Sequence, residues 1–119
     1  ADLSYCDLRN ANFRGTVVRN TNLINCQSSG IRLSGADLRN VDFTGGEFEN
    51  CTLRVADMRN ATFSHSDFRG ADLRYANLSG ADLAKSDFRD ADLENAKLIN
   101  TTSVVYPGGG DPMIRITIE

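Results

Sequence analysis

The chain has 119 residues, enough for one small domain and no more. Charged residues make up 24% and apolar ones 40%, with a formal net charge of −3. That balance excludes a global pull toward nucleic acid or an anionic membrane. No apolar run approaches the length of a spanning helix, and the opening residues show no basic and apolar targeting pattern. A soluble chain is expected, and its compartment stays open. The missing initial Met suggests processing or excision from something longer.

From the start to residue 98, a bulky residue returns at every fifth position, beginning Leu3, Leu8, Phe13, Val18 and Leu23. Nineteen of these twenty positions are large and apolar, and they hold all six Phe. Two places earlier stands a small residue, Ala in ten of twenty cases. The place before the bulky residue is mostly Asp or Asn, and the place after it is Arg in nine of twenty. The last place is Asn or Gly in fourteen. Neither a helix nor a plain strand has a period of five, so the chain is a repeat. Two inward columns, one large and one small, would fill a core while the polar columns face water. Asn and Gly tolerate left-handed backbone and mark a bend. Such units bury nothing alone and must stack into a solenoid.

A weaker period of twenty sets the size of the coil. Asn20, Asn40, Asn60 and Asn100 share a column, as do Phe43 with Phe63, and Phe48 with Phe68 and Phe88. Four sides of five residues put each set in one vertical stack, where side-chain amide ladders and offset aromatic stacking would add cohesion.

The units ADLRN, ANFRG, ADLRY, ANLSG, ADLAK and ADLEN carry a clear resemblance. Over about residues 1–100 the chain resembles the pentapeptide-repeat family. The resemblance implies an all-β fold, a right-handed quadrilateral β-helix of about five coils. At about 4.8 Å per layer, it would form a rod roughly 24 Å long.

Two stretches depart from the pattern. In residues 26–30, Ser28 takes an inward place, in the stack of Leu8 and Phe48; its hydroxyl would need a backbone carbonyl or a water. Arg32 and Val17 stand where Asp is usual, so this side either bulges or has its gap filled by a neighbour such as Phe48. After Leu98 the frame fails, and residues 101–119 form a second segment: a breaker from Pro107 to Pro112, then the alternation Ile114, Ile116, Ile118 of a short strand. This tail could cap the coil, pair with a partner, or begin a lost domain. End-to-end association through the solenoid edge is a further possibility.

No chemistry-bearing constellation emerges. His65 sits in an outward corner column, and Asp37, Asp57, Asp67 and Asp72 read as a solvated face. Cys6, Cys26 and Cys51 lie in the small inward column and read as buried free thiols, although Cys6 and Cys26 are close enough in the stack to bond. No P-loop, C-x-x-C or dinucleotide fingerprint occurs, and Gly108–Gly110 read as a linker. No catalytic residue, cofactor or metal is expected. The Arg column reads as outward ion-pair ladders rather than a phosphate-binding stripe. One side lacks Arg and bears Asp2, Asp42 and Asp82; as the smoothest and most acidic wall, it is the expected partner-facing surface.

These readings predict a non-enzymatic, rigid scaffold or spacer that binds protein and does not bind nucleic acid directly. The resemblance implies such roles for family members that include thylakoid-lumen and cyanobacterial proteins. The alternative it implies is a DNA-mimic inhibitor of DNA gyrase of the quinolone-resistance type. That role calls for a long, acidic, usually dimeric rod, whereas this one is short and Arg-rich on three sides. A fragment whose function resides in other domains is the third reading.

Overall fold

The computed structural model describes residues 2–98; the tail, with its proposed cap and strand, lies outside them. Every face makes a single isolated parallel bridge to the face twenty residues on, beginning Asp2↔Asn22, Asp7↔Gln27, Asn12↔Arg32 and Val17↔Asp37 and ending at Asn77↔Lys97. Twenty residues therefore make one four-sided coil. Wall 1 comprises residues 2–5, 21–25, 41–45, 61–65 and 81–85. Wall 2 comprises 6–10, 26–30, 46–50, 66–70 and 86–90. Wall 3 comprises 11–15, 31–35, 51–55, 71–75 and 91–95, and wall 4 comprises 16–20, 36–40, 56–60, 76–80 and 96–98. Each face is too short for a continuous strand, since a bend follows every three residues.

The five columns follow from where each backbone amide finds its acceptor. In the second coil, Leu23 N donates to Asp42 O at 2.8 Å and Asn25 N to Thr44 O at 2.9 Å, while Gln27 N donates back to Cys6 O at 3.0 Å. Cys26 N closes the turn on Leu23 O at 3.3 Å. That leaves the amide after the bulky residue, and the Asp/Asn column supplies its acceptor. Arg39 N donates to Asp37 Oδ1, Thr44 N to Asp42 Oδ1 and Ala84 N to Asp82 Oδ1. The sequence reading had this column merely facing water; it also completes the turn.

Each turn puts its third residue at positive φ, from 56° at Asn25 to 74° at Gly80. The residue before it is not in that region, so the pattern is that of a type II turn, which favours Gly or Asn there. The expected amide ladder through Asn20, Asn40 and Asn60 does not form: no side-chain hydrogen bond joins them. Instead Asn10, Asn50 and Asn60 lay their amide oxygens where a β-carbon on Gly30, Gly70 and Gly80 one coil later would stand.

Inside, the small column is buried with the large one, as in Ala36 with Leu38 and Ala61 with Phe63. Ser66 and Ser86 fit that column because their hydroxyls donate to Phe43 O and Phe63 O of the preceding coil. The phenyl rings stack vertically as expected. Phe43 lies 5.0 Å from Phe63, Phe48 is 5.1 Å from Phe68, and Phe68 is 5.1 Å from Phe88, all within 10° of parallel. Edge-on contacts of 4.9 Å between Phe43 and Phe48 and 5.2 Å between Phe63 and Phe68 tie the two stacks together.

Ser28 is fully buried, and of the two partners expected for its hydroxyl no backbone carbonyl or other protein group is within reach. The wall does not bulge there, because the bridges Asp7↔Gln27 and Gln27↔Glu47 keep their register. In the next coil the Phe48 ring leans over Gly46, occupying the place a β-carbon there would take. At the first coil, Leu3, Leu8, Phe13 and Val18 are only half-buried and line an open apolar recess.

Candidate functional site

The outer surface carries the candidate chemistry, and it is set by the Asp-x-Arg spacing. Within one face these two residues flank an inward residue, so both side chains emerge together. Arg9 reaches Asp7 through Nε at 2.9 Å and Nη2 at 2.7 Å, a two-pronged pair. Asp37 with Arg39, Asp57 with Arg59, Asp72 with Arg74 and Asp87 with Arg89 repeat the geometry. Arg69 pairs likewise with Asp67 and reaches Glu49 at 3.4 Å. The guanidinium hydrogen bonds hold the Asp7 and Asp37 carboxyls down at about 2. The outward ion-pair ladder expected from the Arg column is present, and with Arg19 on Asp37 at 3.2 Å it accounts for seven of the ten described arginines.

The predicted acidic wall is brought together. Asp2, Asn22, Asp42, Thr62 and Asp82 form one bridged stack. Their carboxylates are engaged locally: Asp2 accepts from Ser4 N, Asp42 from Thr44 N and Oγ1, and Asp82 from Ala84 N and Ser64 Oγ. The side-chain bond from Ser4 is the main cause of a lowered Asp2 pKa. The wall is not the most acidic, however. Asp2, Asp42, Asp82 and Lys85 leave it at −2, whereas the acids of wall 2 outnumber Arg9, Arg69 and Arg89 by three. Glu47, Glu49 and Asp90, which have no Arg two places on, make the difference.

Charge is thus divided lengthwise. Walls 1 and 2 are acidic, and walls 3 and 4 carry an excess of Arg and Lys. The three thiols are free; burial pushes the Cys51 thiol far above its usual range, and Cys26 Sγ points at Leu3 O, 2.9 Å away. His65 is exposed at its corner. Among the described residues no group of three His, Cys, Asp or Glu side chains converges as a metal site would, and no helix is long and apolar enough to cross a membrane.

A core of stacked Phe and Leu, a bend every five residues and parallel bridges every twenty define a four-sided β-solenoid repeat protein. The sequence profile described as pentapeptide repeats matches residues 1–40, 19–54, 36–74 and 66–102, and the chain belongs to that family. Solved structures agree. A pentapeptide repeat protein from Nostoc is 25% identical over 81% of this chain and 83% of its own, with a TM-score of 0.68. Another, from the thylakoid lumen of Arabidopsis thaliana, is 21% identical over 78% and 70%, with a TM-score of 0.66. The plasmid-mediated fluoroquinolone resistance protein QnrB1 is 18% identical over 99% and 79%, but its TM-score of 0.35 carries no argument. No protein of curated function matches the chain in sequence. None of these similarities points to an enzymatic family.

Proposed function

We propose that the chain is a non-enzymatic scaffold or spacer, a right-handed four-sided rod that presents flat walls of fixed side-chain spacing to protein partners. The observation that carries this reading is the use of the backbone and core. Amides are consumed by neighbouring coils and by the Asp/Asn column, and the interior is filled by stacked rings. Rigid walls lose little conformational freedom on binding, which favours recognition by shape and charge. Wall 1, with Asp2, Asp42 and Asp82 in register and no Arg, is the proposed face for a basic partner. Its side chains are already ordered by their turn hydrogen bonds.

The test compares the intact chain with a triple variant, Asp2→Asn, Asp42→Asn and Asp82→Asn, whose amide oxygens can still accept the turn amide as that of Asn22 does, as baits in quantitative affinity capture. Partners of the wild-type chain should be lost from the variant while its circular dichroism is unchanged. Retention of the same partners by a folded variant would remove wall 1 from the proposal. Division of charge between two halves of the rod does not favour mimicry of DNA, which is negative all round. Dose-dependent inhibition in a gyrase supercoiling assay would reverse that judgement.

A further inference from the structure

Seven arginines are neutralised by carboxylates, and the other three all lie on wall 3. Arg14 touches only the neutral Asn12, with Nε 3.1 Å from Oδ1. Arg32 stands where the column calls for Asp, bridged between Asn12 and Thr52. Arg54 has Thr52, not Asp, two places before it, and its guanidinium lies 5.7 Å from the centre of the Tyr75 ring. No described carboxylate is within ion-pair distance of these three, although Arg54 acts at longer range on Asp72 of the next coil, which is itself paired with Arg74. They occupy three successive coils, so their stems fall within about 10 Å along the axis. The first three coils of wall 3 carry Arg14, Arg32 and Arg54 and no acid at all.

A second feature of the same wall is independent of charge. Its corner column runs Gly15, Gly35, Val55, Tyr75, Asn95. Val55 is held at φ 64° and Tyr75 at φ 63°. Left-handed backbone is unfavourable for most residues and an outlier for a β-branched one. Neither side chain is buried in return: Val55 is 58% exposed and Tyr75 51%. Gly or Asn would fit both positions better. Beyond the contact of Tyr75 with Arg54, side chains half exposed in an unfavourable backbone conformation contribute little to the fold, which turns attention to what they could contact. Exposed Tyr and Arg are the residues enriched at the centre of protein interfaces.

We propose that wall 3 is a docking face for an acidic protein segment, whose carboxylates pair with Arg14, Arg32 and Arg54 while an apolar side chain packs on Val55 and Tyr75. This deepens the scaffold reading and rests on it: wall 3 lies across the rod from wall 1, so the two faces would hold partners of opposite charge. Single-stranded nucleic acid fits less well. It needs a run of aromatic platforms along a basic groove, and wall 3 has one ring on a flat surface.

The experiment uses fluorescence anisotropy with three labelled probes: a short peptide alternating Glu and Leu, its Lys-for-Glu counterpart, and an oligothymidylate. The wild-type chain should bind the Glu peptide, with affinity falling as salt rises, and should not bind the Lys peptide at this wall. Arg32→Ala with Arg54→Ala should weaken binding by about tenfold or more. Val55→Asn should weaken it several-fold yet raise Tm by a few degrees, because Asn tolerates the left-handed turn. That opposite movement separates docking from a role in the fold. The wall 1 triple variant should bind the Glu peptide no more weakly, so failure here and failure at wall 1 are read separately. No salt-sensitive binding of the Glu peptide, binding indifferent to Arg32 and Arg54, tighter binding of the oligothymidylate, or self-association abolished by the same substitutions would each overturn the proposal.

Discussion

Gly46 occupies a small-column position, yet it is the only glycine there, and Phe48 is the reason. The φ of Gly46 is not in the left-handed region, so on backbone grounds Ala would be welcome and would stabilise by about 0.4–1 kcal/mol. The ring of Phe48 lies in the space the new methyl would need. That ring cannot easily withdraw, because it is stacked on Phe68 at 5.1 Å and meets Phe43 edge-on at 4.9 Å. Gly46→Ala is therefore an overpacking change that should cost about 1–3 kcal/mol. Phe48→Leu should itself cost about 2–3 kcal/mol, from lost buried area and two ring contacts worth about 0.5–1.5 kcal/mol each. In the double variant the shorter Leu vacates the place the methyl takes. Its loss should fall short of the sum of the single losses by at least about 1 kcal/mol. Urea unfolding followed by circular dichroism measures all four corners of this cycle, and an unchanged slope with urea is required for the comparison. Additivity within about 0.5 kcal/mol, or a Gly46→Ala variant more stable than the wild type, would refute the account of how Phe48 covers Gly46.

Ser28→Ala should stabilise the chain by about 1 kcal/mol, since it removes a fully buried hydroxyl without a protein partner and leaves a void of a single atom. A loss of stability in the same urea assay would mean that the hydroxyl is satisfied. Acid should weaken the fold over a defined window. Asp7 and Asp37 are lowered from 3.8 to about 2 in the folded chain by their Arg partners. Their contribution is therefore present above about 3.8 and is lost as pH falls through 2. Tm should hold from pH 7 to 5 and decline between 4 and 2, and the Arg9→Gln and Arg39→Gln variant should show a shallower decline. An equal decline in both would assign the acid sensitivity to other carboxyls.

The sequence determined most of the fold because a solenoid writes its geometry locally. One bulky residue every five and one small residue two places before it were enough to assign inside and outside from Leu3 to Leu98. The vertical Phe stacks and the twenty-residue coil were legible from spacing alone, since stacking brings residues i and i+20 together by construction. What the sequence left undecided depended on contacts between columns. The Asp/Asn column looked like solvated surface; only the backbone hydrogen bonds revealed it as the acceptor for the one amide the coils leave over. Ser28 looked like a residue in need of a carbonyl or a water, and the structure shows that no protein group supplies the carbonyl. The Asn corner suggested a ladder, but the turn dihedral alone accounts for the column. Counting Arg along the chain also hid the most consequential asymmetry. Seven form a direct ion pair with a carboxylate and three do not, and that distinction depends on distances of a few ångströms between coils. The wall bearing Asp2, Asp42 and Asp82 was visible as a pattern. Wall 3, with Arg14, Arg32 and Arg54 beside a strained Val55, became visible only once ion pairs and backbone angles could be read from the tertiary structure.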